Sequence, residues 1–555
     1  MWHYKNRKIC RGDRELKVKN IFKRLFEFKP HEKRVFELSS QRQNIDYDVR
    51  DEAPQKSAPL VSSSIDENEA YIRDRFSVPL NNDFIIRKLR LQDGRRAFVV
   101  FIEGMVSTDN VDAHVIKSLQ ELPYYSEEDG EKTEERIAER FISHNQTMIT
   151  PSMDVVAEEV NFGAAAVFVD GCDKAFSIDI RSWGTRSINK PENEQSIYGP
   201  QEAFAEMLRT NTALIRKIIK TEKLIAEGVK IGTVSKTRGV LLYIKDIANG
   251  EIVEEARRRI KGIDMEYVIS IEEVEMMIEE KSFGLTTQML KTERPDRVAR
   301  ALTEGKAALI LNGSPTALVF PVTIFELSHA ASDDYLRVPY ANMSRLIRLV
   351  TTFASMLLPG LYLATTLYHQ EVIPTYLLYS ISASRENVPF PSVIELILMD
   401  ISFEMIREAG LRMPGPIGST LGIVGGLILG QAAVSAKIVS PIMIIVIALT
   451  GIGSFATPDY SLGWSYRLMR LLFIAAGALL GFYGIAAGIV IYSLLLGNMK
   501  SFGVPFVSPM PKRGGDGTES AVFMNPIWKR EKRPAFLKPK SSGAEPKISR
   551  KWRKK

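Results

Sequence analysis

Four carboxylates interrupt an apolar stretch between residues 392 and 412. They are Glu395, Asp400, Glu404 and Glu408. The last three are four residues apart, so an α-helix places them on one face. A helix with one acidic and one apolar face can lie flat at a membrane surface. It can also face water in a pore or vestibule, where acids repeated by symmetry favour cations. The residues alone leave both placements open, since Arg407 and Arg412 can neutralise the acids.

A second pattern is a row of glycines that follows this stretch. Gly418, Gly422, Gly426 and Gly430 recur every four residues and therefore share one helix face. Small residues at this spacing let two backbones approach closely inside a membrane. The pattern predicts a helix-packing seam, which can serve packing within one chain or the assembly of several copies. Further glycines at 477, 481, 484 and 488 offer a similar face on the last apolar stretch.

These residues lie in a predicted helical membrane domain, residues 341–504. Four stretches are apolar and long enough to cross a bilayer, which takes about 20 residues. They are residues 346–368, 417–436, 438–456 and 471–496. Positive charge is concentrated at the two ends of the chain, which predicts that both ends face the cytoplasm, with Lys437 in a turn on the same side. If the amphipathic segment 392–412 also crossed, there would be five spans, and an odd number would put the two chain ends on opposite sides. This favours a peripheral or re-entrant placement of the segment.

The part before residue 341 has the pattern of a soluble protein. Residues 1–78 are basic and then polar, which predicts a disordered arm. Strands and helices alternate afterwards and indicate two αβ subdomains, residues 79–228 and 229–340. Each contains an expected hairpin, with turns at Asp170-Gly171 and at Asn312-Gly313. The second hairpin could instead be counted as a span over 307–325, but the turn in its middle favours two short strands.

The predicted fold is therefore a multi-domain membrane protein. Two cytoplasmic α/β (α+β) subdomains precede an all-α transmembrane domain of four to five helices, and residues 505–555 form a basic cytoplasmic tail. The tails are expected to face anionic membrane lipid and not nucleic acid. Six scattered histidines form no metal-ligand or catalytic spacing, and no phosphate-binding glycine loop occurs. We therefore expect no enzymatic activity, no cofactor and no metal site.

Ten short stretches together resemble the A subunit of bacterial spore germinant receptors, the GerA-type spore germination proteins. They occur in the same order as in that family, over roughly residues 79 to 512. The stretches are Gly199–Phe204, Arg209–Arg216, Asn312–Pro315, Leu358–Tyr362, Tyr368–Thr375, Arg385–Pro391, Phe403–Gly410, Gly418–Gly426, Gly430–Val434 and Pro505–Pro509.

The resemblance implies a nutrient receptor in the inner membrane of a spore. Its soluble N-terminal region would face the spore core, and the chain would work with a transporter-like B subunit and a lipoprotein C subunit. It also implies a homo-oligomer that forms a ligand-gated channel for monovalent cations and triggers germination. A membrane signalling scaffold that does not itself conduct ions is the alternative. Glu395, Asp400, Glu404 and Glu408 are the candidate pore or vestibule residues under the first reading.

Overall fold

The computed structural model describes residues 59–120, 147–182, 189–282, 284, 286–412, 416–509 and 522–544. The side chains of residues 411, 412, 416–424 and 427 are outside this description. The predicted arm before residue 59 and the end of the tail after residue 544 also lie outside the described residues.

The first subdomain is a five-stranded antiparallel sheet covered by helices. The strand order is β1-β2-β4-β5-β3. Short helical turns fill residues 108–120 between β2 and β3. The named elements are α1 (Ile65–Arg75), β1 (Phe84–Arg90), β2 (Arg96–Ile102), β3 (Thr147–Thr150), α2 (Met153–Phe162), β4 (Ala165–Val169) and β5 (Ala175–Ile178).

The second subdomain repeats this arrangement. Its strand order is β6-β7-β9-β10-β8. This is the order of the first sheet, with β6 to β10 in the places of β1 to β5. In each subdomain one helix ends at a left-handed glycine: Met153–Phe162 at Gly163 and Pro295–Glu304 at Gly305. The elements are α3 (Leu208–Ile218), β6 (Leu224–Ile231), β7 (Thr237–Ile244), α4 (Gly250–Lys261), α5 (Ile271–Ile278), β8 (Leu290–Thr292), α6 (Pro295–Glu304), β9 (Ala307–Leu311) and β10 (Ala317–Phe320).

These elements correct the predicted limits of the soluble part in two places. Residues 59–78, which the sequence assigned to the disordered arm, are folded, because Ile65, Ile72 and Phe76 enter the core of the first sheet. The predicted boundary at 228 falls inside β6, and the second subdomain begins earlier, with α3. The hairpin at Asn312-Gly313 is the antiparallel pair β9 and β10, so residues 307–320 are strands of a sheet.

The helical region follows directly. Two of its described helices, α7 and α12, are long and apolar enough to cross a membrane, and α11 is apolar but shorter. The helices are α7 (Val338–Leu367), α8 (Thr375–Arg385), α9 (Ser392–Arg412), α10 (Pro416–Ser435), α11 (Pro441–Phe455) and α12 (Tyr460–Gly497). The expected amphipathic segment coincides with α9.

The α12 helix reverses direction at Gly481. This glycine has φ 60° and ψ −140°, a non-helical conformation that residues with a Cβ rarely adopt. A Cβ built on Gly488 would lie 2.8 Å from the Phe473 ring. In a straight helix these two residues would be about 22 Å apart along the axis. Leu462 and Leu496 also pack on one core, that of the second subdomain. The helix is therefore a hairpin of two arms, and the predicted span 471–496 lies across its tip.

Contacts at the two ends fix the direction of the helices. We call the end near the second subdomain proximal and the opposite end distal. The α7 helix ends distally, where the Tyr368 hydroxyl lies 2.8 Å from the carbonyl oxygen of Ala478 at the hairpin tip. The α9 and α11 helices start together, since the Ser440 N–H that opens α11 donates to Glu395. This start is distal, because the end of α11 lies beside the first half of α7, where a Cβ built on Gly453 would be 2.7 Å from the Thr351 carbonyl oxygen. Both then run toward the proximal end, and α10 connects them.

After the hairpin the chain returns to the second subdomain. A small two-stranded sheet, β11 (Lys500–Ser501) and β12 (Val504–Pro505), lies there. Phe502 stacks on Phe320 of β10 with 4.3 Å between ring centroids, and Phe506 enters the core of the second sheet. Residues from both sides of the helical region thus complete the second subdomain.

Candidate functional site

An ion-pair network lies between α9 and the first arm of the α12 hairpin. Nη2 of Arg470 is 3.0 Å from Oδ1 of Asp400 and 2.7 Å from Oε1 of Glu404. The Asp400 and Arg470 side chains are 3% and 2% exposed. A charge buried at this depth needs a partner, because an isolated charge in a low-dielectric environment is costly. Arg470 therefore fixes α9 against α12.

Two further arginines surround Glu404. Arg407, one turn along α9, forms an ion pair with its second carboxylate oxygen, and Nη1 of Arg467 lies 4.0 Å from the same atom. The Arg467 guanidinium lies 4.1 Å from the centre of the Trp464 ring, a cation–π arrangement. Glu408, near the C-terminal end of α9, is exposed. The predicted acidic face is thus largely matched by basic side chains in this conformation.

Glu395 lies apart from this network, at the distal end. Its Oε2 atom accepts the backbone N–H of Ser440 at 3.0 Å, and its Oε1 atom lies 3.6 Å from Nε of Arg385. The Glu395 carboxylate thus lies at the N-terminus of α11, where its negative charge interacts favourably with the positive end of the helix dipole. The structure therefore brings Asp400 and Glu404 together and leaves Glu395 in a helix-joining position.

The sequence could have indicated the arginine partners. Arg467 and Arg470 stand three residues apart in an apolar stretch, which is unusual unless acids face them. The topology predicted from the positive charge of the chain ends places both arginines on the outer side of the membrane. Positive residues are expected inside, so the two arginines count against that topology. With the hairpin reversal, the first arm starts at the second subdomain, and both arginines belong to the proximal half of the helical region.

The glycine row and the tightest helix contacts do not coincide. Nothing lies within 4 Å of a Cβ built on Gly426, and a Cβ on Gly430 would make an ordinary 3.5 Å contact with Ile444. Gly418 and Gly422 are among the residues whose surroundings are not described. Gly360 and Gly477 meet much more closely, because a Cβ on Gly360 would lie 2.5 Å from the carbonyl oxygen of Phe473.

A second charged cluster joins α7 to the second subdomain, and no pattern in the sequence predicts it. The buried carboxylate of Asp333 accepts hydrogen bonds from Arg345 at 3.2 Å and from Arg348 at 2.9 and 3.0 Å. His329 lies beside them, and burial, together with the positive charge of Arg345, lowers its pKa to about 3. The imidazole is therefore neutral at physiological pH, and the first turns of α7 are held to the α+β body.

The arrangement defines a class of protein. Buried ion pairs connect long apolar helices, and an antiparallel α+β body of two repeated subdomains is attached to their proximal end. Within residues 59–544, as far as they are described, no group of three His, Cys, Asp or Glu side chains could hold a metal ion. This is the architecture of a membrane protein with soluble N-terminal domains and apolar C-terminal helices.

Comparison with known proteins identifies the family. The chain belongs to the Bacillus/Clostridium GerA spore germination protein family, whose profile matches residues 70–536. Spore germination protein KA of Bacillus subtilis (strain 168) is 38% identical over 479 residues, which are 86% of this chain and 87% of the relative. The uncharacterized membrane protein YfkQ of the same organism is 36% identical over 453 residues, 82% of this chain and 88% of the relative.

One solved structure is also similar. It is the crystal structure of the N-terminal domain of the A subunit of the Bacillus megaterium spore germinant receptor GerK3, with 28% identity and a TM-score of 0.38. The match covers 48% of this chain and 98% of that domain. The sequence matches thus make the protein a member of a non-enzymatic family of spore germination proteins.

Proposed function

We propose that this protein is the A subunit of a germinant receptor. It assembles with further copies of itself and with B and C subunits, and the assembly is a nutrient-gated channel for monovalent cations. Opening of the channel would trigger germination. The observation that carries the proposal is the position of Asp400 and Glu404, two acids inside an apolar helical region. Acids at that depth are expensive unless they serve an ion pathway or a fixed ion pair.

The ion pairs suggest the resting state of such a channel. Asp400 is buried and directly bound to Arg470, so it cannot attract a cation in this conformation. A conducting state requires α9 to separate from the first arm of α12, which would leave the acids facing water. The open space beside Gly426 is compatible with a neighbouring copy on the α10 face. The row Gly418, Gly422, Gly426 and Gly430 remains our proposed subunit seam.

The proposed topology has six passes. They are α7, α9, α10, α11 and the two arms of α12, since the contacts at the two ends alternate from one helix to the next. An even number keeps the N-terminal region and the tail on the same side with α9 as a span, in place of the expected peripheral or re-entrant placement of residues 392–412. It also puts Lys437, between α10 and α11, at the distal end and not on the cytoplasmic side as the sequence predicted. We place that side in the cytoplasm or spore core and the helices in the spore inner membrane, because the positive charge at both chain ends favours the inside.

A non-conducting scaffold is the second candidate, and the arginines favour it. Arg407, Arg467 and Arg470 offer three positive charges around Glu404, which would repel cations if they stayed in place. A subunit built in this way could pass a conformational signal to a pore formed by another chain.

Potassium release from spores distinguishes the two candidates. Spores carrying Glu404→Gln or Asp400→Asn are compared with wild type after addition of nutrient broth, with receptor abundance measured in each. If α9 lines the path, these isosteric changes alter the rate of potassium release at equal abundance, because they remove a charge that attracts the cation. The matched control is Glu386→Gln, an exposed acid in the loop before α9.

Unchanged potassium release in both variants, at equal abundance, would favour the scaffold. Loss of co-purification with the other subunits would also contradict the pore assignment, since it would make the acids assembly residues.

A further inference from the structure

The C-terminal segment 522–544, which we call the clasp, is folded against the rest of the protein. At its start, the backbone of Met524 makes two hydrogen bonds with the Asn342 side chain in the second turn of α7. The Met524 N–H donates at 2.6 Å to the amide oxygen, and the amide nitrogen donates at 3.3 Å to the Met524 carbonyl. A paired contact of this kind recognises backbone and holds the clasp to the first membrane helix.

The far end of the clasp is bound to the second subdomain. Leu537 is fully buried, and its carbonyl oxygen accepts a 3.2 Å hydrogen bond from Asn249 at the start of α4. The Lys540 N–H donates at 3.0 Å to the carbonyl of Ile247, and Arg533 donates at 2.8 Å to the carbonyl of Thr303 at the end of α6. These bonds use backbone groups that loops and helix ends leave free.

The clasp is itself closed into a compact loop. The Arg533 N–H donates to Ser542 at 2.9 Å and the Ala544 N–H donates to Glu531 at 2.8 Å, so the chain folds back on itself. Nη2 of Arg530 lies 3.7 Å from Oδ1 of Asp334, the residue next to Asp333 of the charged cluster at the start of α7. A flexible basic tail would make none of these specific contacts.

The clasp also ends beside the boundary between the subdomains. The Lys540 ammonium donates at 3.1 Å to the carbonyl of Lys245, and the ammonium of Lys245 in turn donates at 3.0 Å to Ser77 in the first subdomain. One short segment thus touches α7, the second subdomain and a residue that contacts the first. Rotation of α7 relative to the body would strain or break it.

We infer that the clasp is a regulatory strap that holds α7 in its resting orientation on the second subdomain. Its release changes how readily the receptor responds to nutrient. The inference concerns an intramolecular contact, so it does not depend on whether this chain conducts ions. Its physical basis is that a contact made in only one of two conformations shifts the equilibrium toward that conformation.

Two isosteric substitutions are expected to open the clasp while keeping one hydrogen bond at each site. Asn249→Asp keeps the oxygen that caps α4 at Glu251 and replaces the donor to Leu537 by a charged oxygen, which repels the Leu537 carbonyl. Asn342→Asp keeps the acceptor for the Met524 N–H and places a charged oxygen against the Met524 carbonyl. The double variant is expressed in the complete receptor in spores. Leu537→Asp is a stronger alternative, and Ile527→Asp, at an exposed position of the clasp, is its matched control.

Two measurements are made at equal receptor abundance. Limited proteolysis in membranes reports opening, and we expect faster cleavage within 522–544 in the double variant and in Leu537→Asp, but not in Ile527→Asp. Germination over serial dilutions of nutrient broth reports function. Because the strap stabilises the resting orientation, we expect its release to lower the half-maximal concentration about fivefold or more, the lower range of coupling between sites.

The outcomes separate clearly. Faster cleavage with a lowered half-maximal concentration supports the regulatory strap. Faster cleavage with an unchanged or raised half-maximal concentration overturns it and leaves the clasp as a structural brace. If no variant is cleaved faster than wild type, the docking itself is refuted. Should Leu537→Asp fail to accumulate, the isosteric asparagine variants still decide the matter.

Discussion

Arg216 and Asp83 form a buried bidentate ion pair across the boundary between the two subdomains. Nε and Nη2 of the guanidinium each lie 2.6 Å from one carboxylate oxygen, and the two side chains are 3% and 1% exposed. Arg216 also donates to Asn81 and to the carbonyl of Leu224. Because Arg216 belongs to α3 and Asp83 precedes β1, this pair sets the angle between the two repeated units.

Removing one partner of this pair should be strongly destabilising. Arg216→Met leaves the Asp83 carboxylate buried and uncompensated, so we expect a loss of about 3–5 kcal/mol of unfolding free energy. Chemical denaturation of the full chain in detergent measures it. Arg209→Met is the matched control, since Arg209 and Glu103 form a half-exposed pair from the same helix, for which about 0.2–1 kcal/mol is expected. Equal losses in the two variants would contradict this account.

The hairpin reversal predicts a specific pattern of chemical labelling. In a chain without native cysteines, with Cys10 and Cys172 replaced, Leu480→Cys lies beside the tip and should react with an impermeant thiol reagent from the side opposite the subdomains. Leu472→Cys, in the middle of the first arm, should not react. A straight α12 would bury position 480 near the bilayer centre, so protection of Leu480→Cys would refute the reversal.

The contact of Gly360 with Gly477 should tolerate no side chain. Each residue lies against the backbone of the other helix, with the carbonyl oxygen of Gly360 in direct contact with a Cβ on Gly477. Backbone cannot move aside as a side chain can, so Gly477→Ala should cost about 1–3 kcal/mol, the usual range for overpacking. Gly426→Ala, with open space around it, should change thermal stability little. The reverse order would show that the α7 to α12 contact is looser than described.

His329 should make the protein sensitive to acid. Its pKa is lowered to about 3 in the folded chain by burial and by Arg345, against 6.5 as the ordinary value. A lowered folded pKa means that stability is fully present above about pH 6.5 and is lost as the pH falls toward 3, because only the unfolded chain takes up the proton. Thermal unfolding of the full chain at several pH values tests this. His329→Gln should show a smaller decline between pH 6.5 and 5 than wild type.

Much of this fold could be predicted from local pattern. The limits of α9 follow from its apolar run between Pro391 and Pro414, and the turn dipeptides Asp170-Gly171 and Asn312-Gly313 indicate both hairpins, since these residues tolerate positive φ. The family resemblance rests on residues in the same loops and helices, and the family is confirmed.

The features that could not be predicted depend on long-range contacts. Gly481 reverses α12 although no polar residue marks the turn. An apolar sequence at this point fits equally well a helix that continues, so the reversal could not be predicted. The pairing of Arg470 with Asp400 joins positions seventy residues apart. Glu408 has the four-residue spacing of Asp400 and Glu404, and Glu395 lies in the same apolar stretch, but only packing decides which of the four carboxylates meet.

The return of the chain at Phe502 and Phe506 changes how the molecule is best divided. Both side chains complete the core of the second subdomain, and both come from beyond the last helix. The entrance at Val338 and the exit at Gly497 therefore leave from the same body. The helical region is an insertion into that domain and not an appendage after it. A shortened protein that joins residue 337 to residue 499 through a flexible linker would keep Phe502 and Phe506 and lose only the contacts of Leu462 and Leu496 and their helix neighbours, whereas one that simply stops at 337 would lose both aromatic side chains as well.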